Sequence, residues 1–366
     1  MKNLLVTRAI ILVSMTVVAL SLTSCGGSGG TGGGTDSTSS KSDEALIGAG
    51  SSFDNPLFSK LFSEYDKANS VRVNYQSVGS GAGISQLTNK TVDFGASDAP
   101  MNGKQDSAIS APALHIPVTA GAVVLSYNMP EIKDTLMLTP TVLAEIFLGK
   151  ITKWDDPKIA AINKGVKFPS TSILISHRSD GSGTSNIFTT YLAKVSDEWN
   201  SKVGKGSSVN WPVGLGNKGN EGVAGLIKQT PGAIGYIELA YAVQNNMAFA
   251  KVQNKSGNYI TPSIASVTAA ANINIPADSK VSLTNTDATD GYPISGFSWV
   301  LIYKEQKYND RSLDRATKLV KLVSWMIHDG QQYSSALNYA PLSANAVSVG
   351  DAILKSATYD GKPILQ

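Results

Sequence analysis

Residues 177–185 read His177-Arg-Ser-Asp-Gly-Ser-Gly-Thr-Ser185, and an apolar helical pattern begins directly behind them. Glycines at 181 and 183 let backbone N–H groups approach an anion closely, and the hydroxyls of Ser182 and Thr184 add donors. Ile187, Phe188, Tyr191 and Leu192 recur at helical spacing, which predicts a strand, a loop and then a helix whose positive dipole end faces the loop. The segment is the local signature of an anion cradle in an α/β protein.

Two further loops have the same build. Gly48-Ala-Gly-Ser-Ser-Phe53 runs into Asp54-Asn-Pro56, where proline suits a first helical turn, and Leu57, Phe58, Leu61, Phe62 and Tyr65 mark one buried face. Gly79-Ser-Gly-Ala-Gly83 leads into Ile84-Ser-Gln-Leu87. One glycine-serine turn before a helix is commonplace. Three hydroxyl-rich ones in a single chain suggest helix N-termini converging on a small anion.

Competing chemistries find little support in the same residues. None of the three loops ends in Gly-Lys-Ser/Thr or holds a Gly-x-Ser-x-Gly elbow. The three histidines, His115, His177 and His328, are scattered, so no metal site and no cofactor is expected. His177 beside Ser182 raises an exported phosphatase, with Ser182 or Asp98 as nucleophile, as the alternative function, although no base is evidently paired with either. Arg178 offers a planar fork for an oxyanion, and Asp180 stands where it can hold that fork in place. Asp98, in Val92-Asp-Phe-Gly-Ala-Ser-Asp-Ala-Pro100, admits two readings. It either caps a turn before Pro100, or it accepts a hydrogen bond from an anion that still carries a proton. Phosphate near neutral pH keeps a proton and sulfate keeps none, so the second reading favours phosphate.

Short apolar strands alternate with amphipathic helices along most of the chain, which predicts an α/β fold. Ala122–Ser126 and Phe297–Ile302 read as buried strands, and Leu313–His328 as the clearest helix, with apolar residues at 313, 316, 319, 320, 323 and 327. Residues 252–289 are polar, weakly periodic and expected to be loop-rich. Lys2 and Arg8, an apolar run from Ala9 to about Leu20, and Leu22-Thr-Ser-Cys25 form a signal peptide, residues 1–24, ending in a lipobox. Cys25, the only cysteine, is the expected lipidation site, and residues 25–45, mostly Gly, Ser and Thr, a flexible tether. Loss of residues 1–24 removes two basic residues and no acid, leaving 342 residues and lowering the formal charge from +3 to +1. That balance argues against nucleic acid as a partner, and a body of this size usually divides into two domains.

Taken together, Gly48–Phe53, Tyr75–Gly83, Val92–Pro100 and Arg178–Ser185 resemble the phosphate-binding proteins of bacterial phosphate-specific ABC importers. The resemblance continues through Leu148–Asp155, Trp211–Gly216 and Pro231–Tyr236, and spans roughly Leu46 to Ser343. It implies a periplasmic-type solute-binding fold of type II character, with two α/β domains, a two-strand hinge and phosphate in the cleft between them. Domain I would comprise residues 46–124 and 294–366 and domain II residues 125–293, with crossings near Val123–Leu125 and Pro293–Phe297. Carried onto matching positions, the phosphate contacts are Ser52 and Phe53 (backbone N–H), Ser80, Asp98, Arg178, Ser182, Gly183 and Thr184, with Asp180 behind Arg178. Ser52 stands where relatives often have threonine, which preserves the hydroxyl. The partners implied are inorganic phosphate, the importer's permease with its cytoplasmic ATPase, and the membrane through a lipid on Cys25. A non-catalytic monomer, exported and lipid-anchored on the periplasmic or cell-surface side, is the expectation.

Overall fold

In the computed structural model, residues 45–132 and 135–365 are described. The expected signal peptide, Cys25 and all of the tether but Ala45 lie outside them. Among the described residues no helix is long and apolar enough to cross a membrane.

A mixed nine-stranded sheet organises the body. Its strands are β1 (Leu46–Gly50), β2 (Val73–Ser77), β3 (Phe94–Ser97), β4 (Ala113–Tyr127), β5 (Leu174–Arg178), β6 (Leu215–Asn217), β7 (Ala233–Glu238), β8 (Ala248–Phe249) and β9 (Ser295–Tyr303). The order across the sheet is β2-β1-β3-β9-β4-β7-β5-β6, with β8 paired to the far end of β4. The strands β1, β2 and β3 run parallel, joined by helices α1 (Asn55–Asn69) and α2 (Ser80–Thr88). On the other side β5, β6 and β7 run parallel, joined by α3 (Gly183–Val195) and α4 (Gly219–Gln229). These are the βαβ units that the strand-helix alternation predicts.

Strand β4 belongs to both parts. Ala113–Ala122 pair with β9, and Val123–Tyr127 pair with β7, so the partner changes between Ala122 and Val123. Nearly all of its 15 residues are buried, as expected of a strand covered on both faces. Pro117 has no N–H for the ladder, and the register with β9 shifts there, leaving Val118 as the extra residue of a bulge opposite Ser298 and Trp299.

Each part has its own aromatic packing. Phe58, Phe62, Tyr75 and Phe94 cluster beneath α1, while Phe147, Phe188, Trp211 and Tyr236 cluster beneath α3. α2 lies on β1 at Gly83, where a Cβ would stand 2.4 Å from the Gly50 Cα. Any side chain there would push the helix and its N-terminus off the sheet. The helix predicted from 313 is α5 (Leu313–Ile327), started by the Ser312 hydroxyl on the Arg315 N–H. Leu313 itself is 53% exposed, because the buried stripe begins only at Ala316. Residues 252–289 hold short strand pieces around 251–253 and 259–260 and a helical segment Ile264–Ala270; the remainder is loop, as the polar sequence implies.

Candidate anion-binding site

Helices α1 and α2 from one part of the sheet and α3 and α4 from the other bring their N-termini together. Ser80 opens α2, and its Oγ accepts the Gly183 N–H at 3.1 Å and the Asp98 N–H at 3.4 Å. Gly81 N–H donates to the Gly181 carbonyl at 2.9 Å. Asn220, in the first turn of α4, donates to Ser52 Oγ from its backbone N–H (3.1 Å) and from Nδ2 (3.0 Å), and Nδ2 also reaches Thr184 Oγ1 at 3.2 Å. Ser52, Phe53, Ser80, Asp98, Arg178, Ser182, Gly183 and Thr184 are all buried. The three glycine-serine loops therefore meet, and a fourth, Lys218-Gly-Asn-Glu-Gly222, joins them. It carries the same signal, since Gly219 has φ +70° and a helix follows at once.

Gly183 cannot be replaced cheaply. A Cβ there would lie 2.6 Å from both the Asp98 carboxylate and Ser80 Oγ. The Ser182 hydroxyl caps α3 by accepting the Ser185 N–H at 3.1 Å, and Ser182 N–H donates to the Ser207 carbonyl. The Phe53 N–H donates to Ser51 Oγ at 3.0 Å.

Arg178 lies at the end of β5 with its side chain 1% exposed. Nε donates to Asp180 Oδ1 at 2.8 Å and Nη2 to Oδ2 at 2.5 Å, a two-pronged grip that leaves Nη1 directed toward Thr184 Oγ1 at 3.4 Å. Although burial opposes it, the guanidinium opposite holds the Asp180 carboxyl below its ordinary range. The Arg178 N–H donates to Tyr236 Oη at 3.0 Å, which in turn pairs with Ser185 Oγ at 2.6 Å. Tyr236, from the Pro231–Tyr236 motif, thus fixes both the arginine strand and the start of α3. His177 stacks on Trp211 with ring centroids 4.8 Å apart, and its Nδ1 faces the Arg178 carbonyl at 3.0 Å. Among the described contacts His177 is engaged with Trp211 and the Arg178 carbonyl and pairs with neither Ser182 nor Asp98, so the geometry gives the phosphatase alternative no base from His177.

Asp98 follows β3, and its carboxylate serves no local turn. Oδ1 accepts from Ser51 Oγ at 2.5 Å and from Ser298 Oγ at 2.9 Å, residues far apart in the chain. Burial pushes its pKa up to about 6, against the pull of those hydroxyls, of Arg178 and of Ser80. At neutral pH it is ionised and can only accept. An anion seated against these loops would meet one guanidinium, hydroxyls, helix N-termini and one carboxylate, an arrangement suited to an oxyanion with a proton to give. A cavity of about 440 Å³ adjoins Ser80 and Asp98 and is also lined by Lys205 and Lys280.

Ser51, Asp54, Asn220, Glu238 and Ser298 at this site are not among the sequence-predicted residues. Ser298 sits in a strand that reads simply as buried, Glu238 lies two residues past the Pro231–Tyr236 motif, and Asp54 reads as a helix start; Ser51 lies inside the Gly48–Phe53 loop, and Asn220 has a loop signal of its own.

Residues 35–329 match the PBP superfamily domain. The chain is 42% identical over 331 residues to the phosphate-binding protein PstS of Pasteurella multocida, covering 88% of this chain and 94% of that one. It is 42% identical to the Haemophilus influenzae PstS, over 83% and 90% of the two chains. Among solved structures, a high-affinity periplasmic phosphate-binding protein with bound phosphate superposes with a TM-score of 0.66 at 20% identity, covering 84% of this chain and 93% of that one. At that identity the structure speaks for the fold alone.

Proposed function

The chain belongs to the PstS phosphate-binding proteins of the PBP superfamily, and on that premise we propose that it binds inorganic phosphate between the two parts of its sheet and delivers it to an ABC importer. The observation that carries the reading is Asp98, an acceptor-only carboxylate held by Ser51 and Ser298 among helix N-termini and opposite Arg178. Such a group accepts the proton of phosphate and repels fully ionised sulfate.

In this reading Ser52, Phe53, Ser80, Arg178, Ser182, Gly183 and Thr184 hold the anion, and Asp180 fixes the arginine. Residues 46–124 with 294–366, and residues 125–293, are the two domains, which close over the ligand about the crossing in β4 and the entry to β9. The body acts as a non-catalytic monomer, exported and anchored through a lipid on Cys25, and partners a permease with its cytoplasmic ATPase. Titration of the purified protein with phosphate and then sulfate, followed by calorimetry or tryptophan fluorescence, tests this. Saturable one-to-one phosphate binding without a sulfate response is expected; equal response to both, or to neither, overturns it.

A further inference from the structure

Behind Asp98 lies a second carboxyl that the phosphate reading does not use. Asp54 occupies the N-cap of α1 but makes no capping bond; its side chain turns to the floor of the site. The residue is fully buried, and among the described residues Oδ1 has no hydrogen-bond partner and Oδ2 has only Ser298 Oγ. Ser298 has one hydrogen, and its oxygen also stands 2.9 Å from Asp98 Oδ1 and 3.4 Å from the Ser97 carbonyl.

Counting hydrogens decides the direction. An ionised Asp98 cannot donate, and neither can a carbonyl. If Ser298 gives its hydrogen to Asp98, the hydrogen in the Asp54–Ser298 contact has to come from Asp54. We infer that Asp54 is a neutral carboxylic acid that acts as a positioning residue, donating to Ser298 so that the Ser298 hydrogen stays on Asp98 and Asp98 stays an acceptor for the ligand's proton. The chain of donation runs Asp54 to Ser298 to Asp98.

The surroundings agree. The groups facing Asp54 are Asp98 after β3, Glu238 at the end of β7, Tyr339 and Tyr75. Burial first, then the Asp98 charge, drive the Asp54 carboxyl well above its ordinary range, and Ser298 opposes this only in part. The α1 N-terminus favours a charge there, but Asp54 makes no capping bond to it, and a helix end offsets only a small part of what it costs to bury a carboxylate with a bare oxygen beside another carboxylate. Burial raises Glu238 in the same direction, opposed by the Ala240 N–H on its Oε2.

The inference rests on the phosphate-binding reading for its purpose, but not for its test. Infrared spectra of the wild-type protein carrying carboxyl-¹³C aspartate, at about pH 8, are expected to contain an isotope-shifted C=O stretch of a neutral acid, where ordinary aspartates are ionised. Asp54→Asn should remove that band and Glu238→Gln should not. A spectrum without it overturns the inference, even if no variant folds. A second readout reports on Asp98. The low-pH midpoint of phosphate binding is expected to rise, by up to about one unit, in Asp54→Ala, where the Ser298 hydrogen can swing to Ser97. It should return in Asp54→Asn, whose amide still donates. One midpoint for all three proteins overturns the positioning role. If phosphate fails to bind while the band is present, the functional reading falls and the neutral Asp54 stands.

Discussion

Ser80 Oγ accepts the Gly183 backbone N–H at 3.1 Å, joining the first residue of α2 to the first residue of α3 across the two parts of the sheet. The contact exists because residue 183 has no side chain; Asp98 and Ser80 stand where a Cβ would go.

Gly183→Ala is therefore expected to hold the two parts apart. Overpacking of this kind costs about 1–3 kcal/mol, which should appear as a roughly 5- to 150-fold loss of phosphate affinity. Gly225→Ala in α4, where a Cβ meets nothing within 4 Å, is the control. It should leave affinity alone and raise stability by about 0.5–1 kcal/mol. Equal titrations for the two variants would count against the steric account.

Arg178→Ala removes the one guanidinium and strands Asp180. The expected loss is about 3–5 kcal/mol of phosphate binding, as when one member of a buried pair is deleted. A loss below about 1 kcal/mol in calorimetry would put Arg178 at an exposed rim, contrary to its 1% exposed side chain.

Asp98→Asn should narrow the gap between phosphate and sulfate, since an amide can donate to either. It also has a stability signature. The folded value of about 6 lies above the ordinary 3.8. The increment from the Asp98 proton is therefore complete below about pH 4 and is lost as pH rises through about 6. Asparagine does not ionise. Thermal melts without ligand should therefore show Asp98→Asn gaining stability relative to wild type at about pH 8, on the order of 2–3 kcal/mol, and much less at about pH 4.

Asn220→Ala removes the donor to Ser52 and Thr184 and leaves the Glu238 N–H, which donates to Asn220 Oδ1 at 2.9 Å, without its acceptor. Unfolding in urea should show a loss of about 1–3 kcal/mol, and phosphate titration a weaker fit. An unchanged midpoint would mean that water replaces the amide.

The parts of the site legible in the sequence are those whose chemistry is local. A loop such as Asp180–Ser185 announces itself, because glycines, hydroxyls and a following helix are all adjacent in the chain. Arg178 and Asp180 pair over two residues and could be read the same way. Ser298 could not, because its role comes from lying opposite Asp98 and Asp54, 200 and 244 residues away. Asp54 occupies the N-cap of α1, yet its side chain turns to Ser298, a partner that no local pattern shows. The α/β class and the main strands followed from alternation. The bulge in β4 did not, since only pairing with β9 reveals that Val118 is an extra residue.

The path from one part of the sheet to the other inside β4 has no slack. Between Ala122 and Val123 the chain stays a hydrogen-bonded strand, with ladders to β9 on one side and β7 on the other. A glycine-serine leash lets its ends wander at an entropic cost alone. A paired strand instead has a rest shape, and displacing its two ends bends the ladders. On the proposed reading, in which the two parts close about this crossing, β4 would work as a leaf spring between two plates, with a preferred angle that the ligand works with or against.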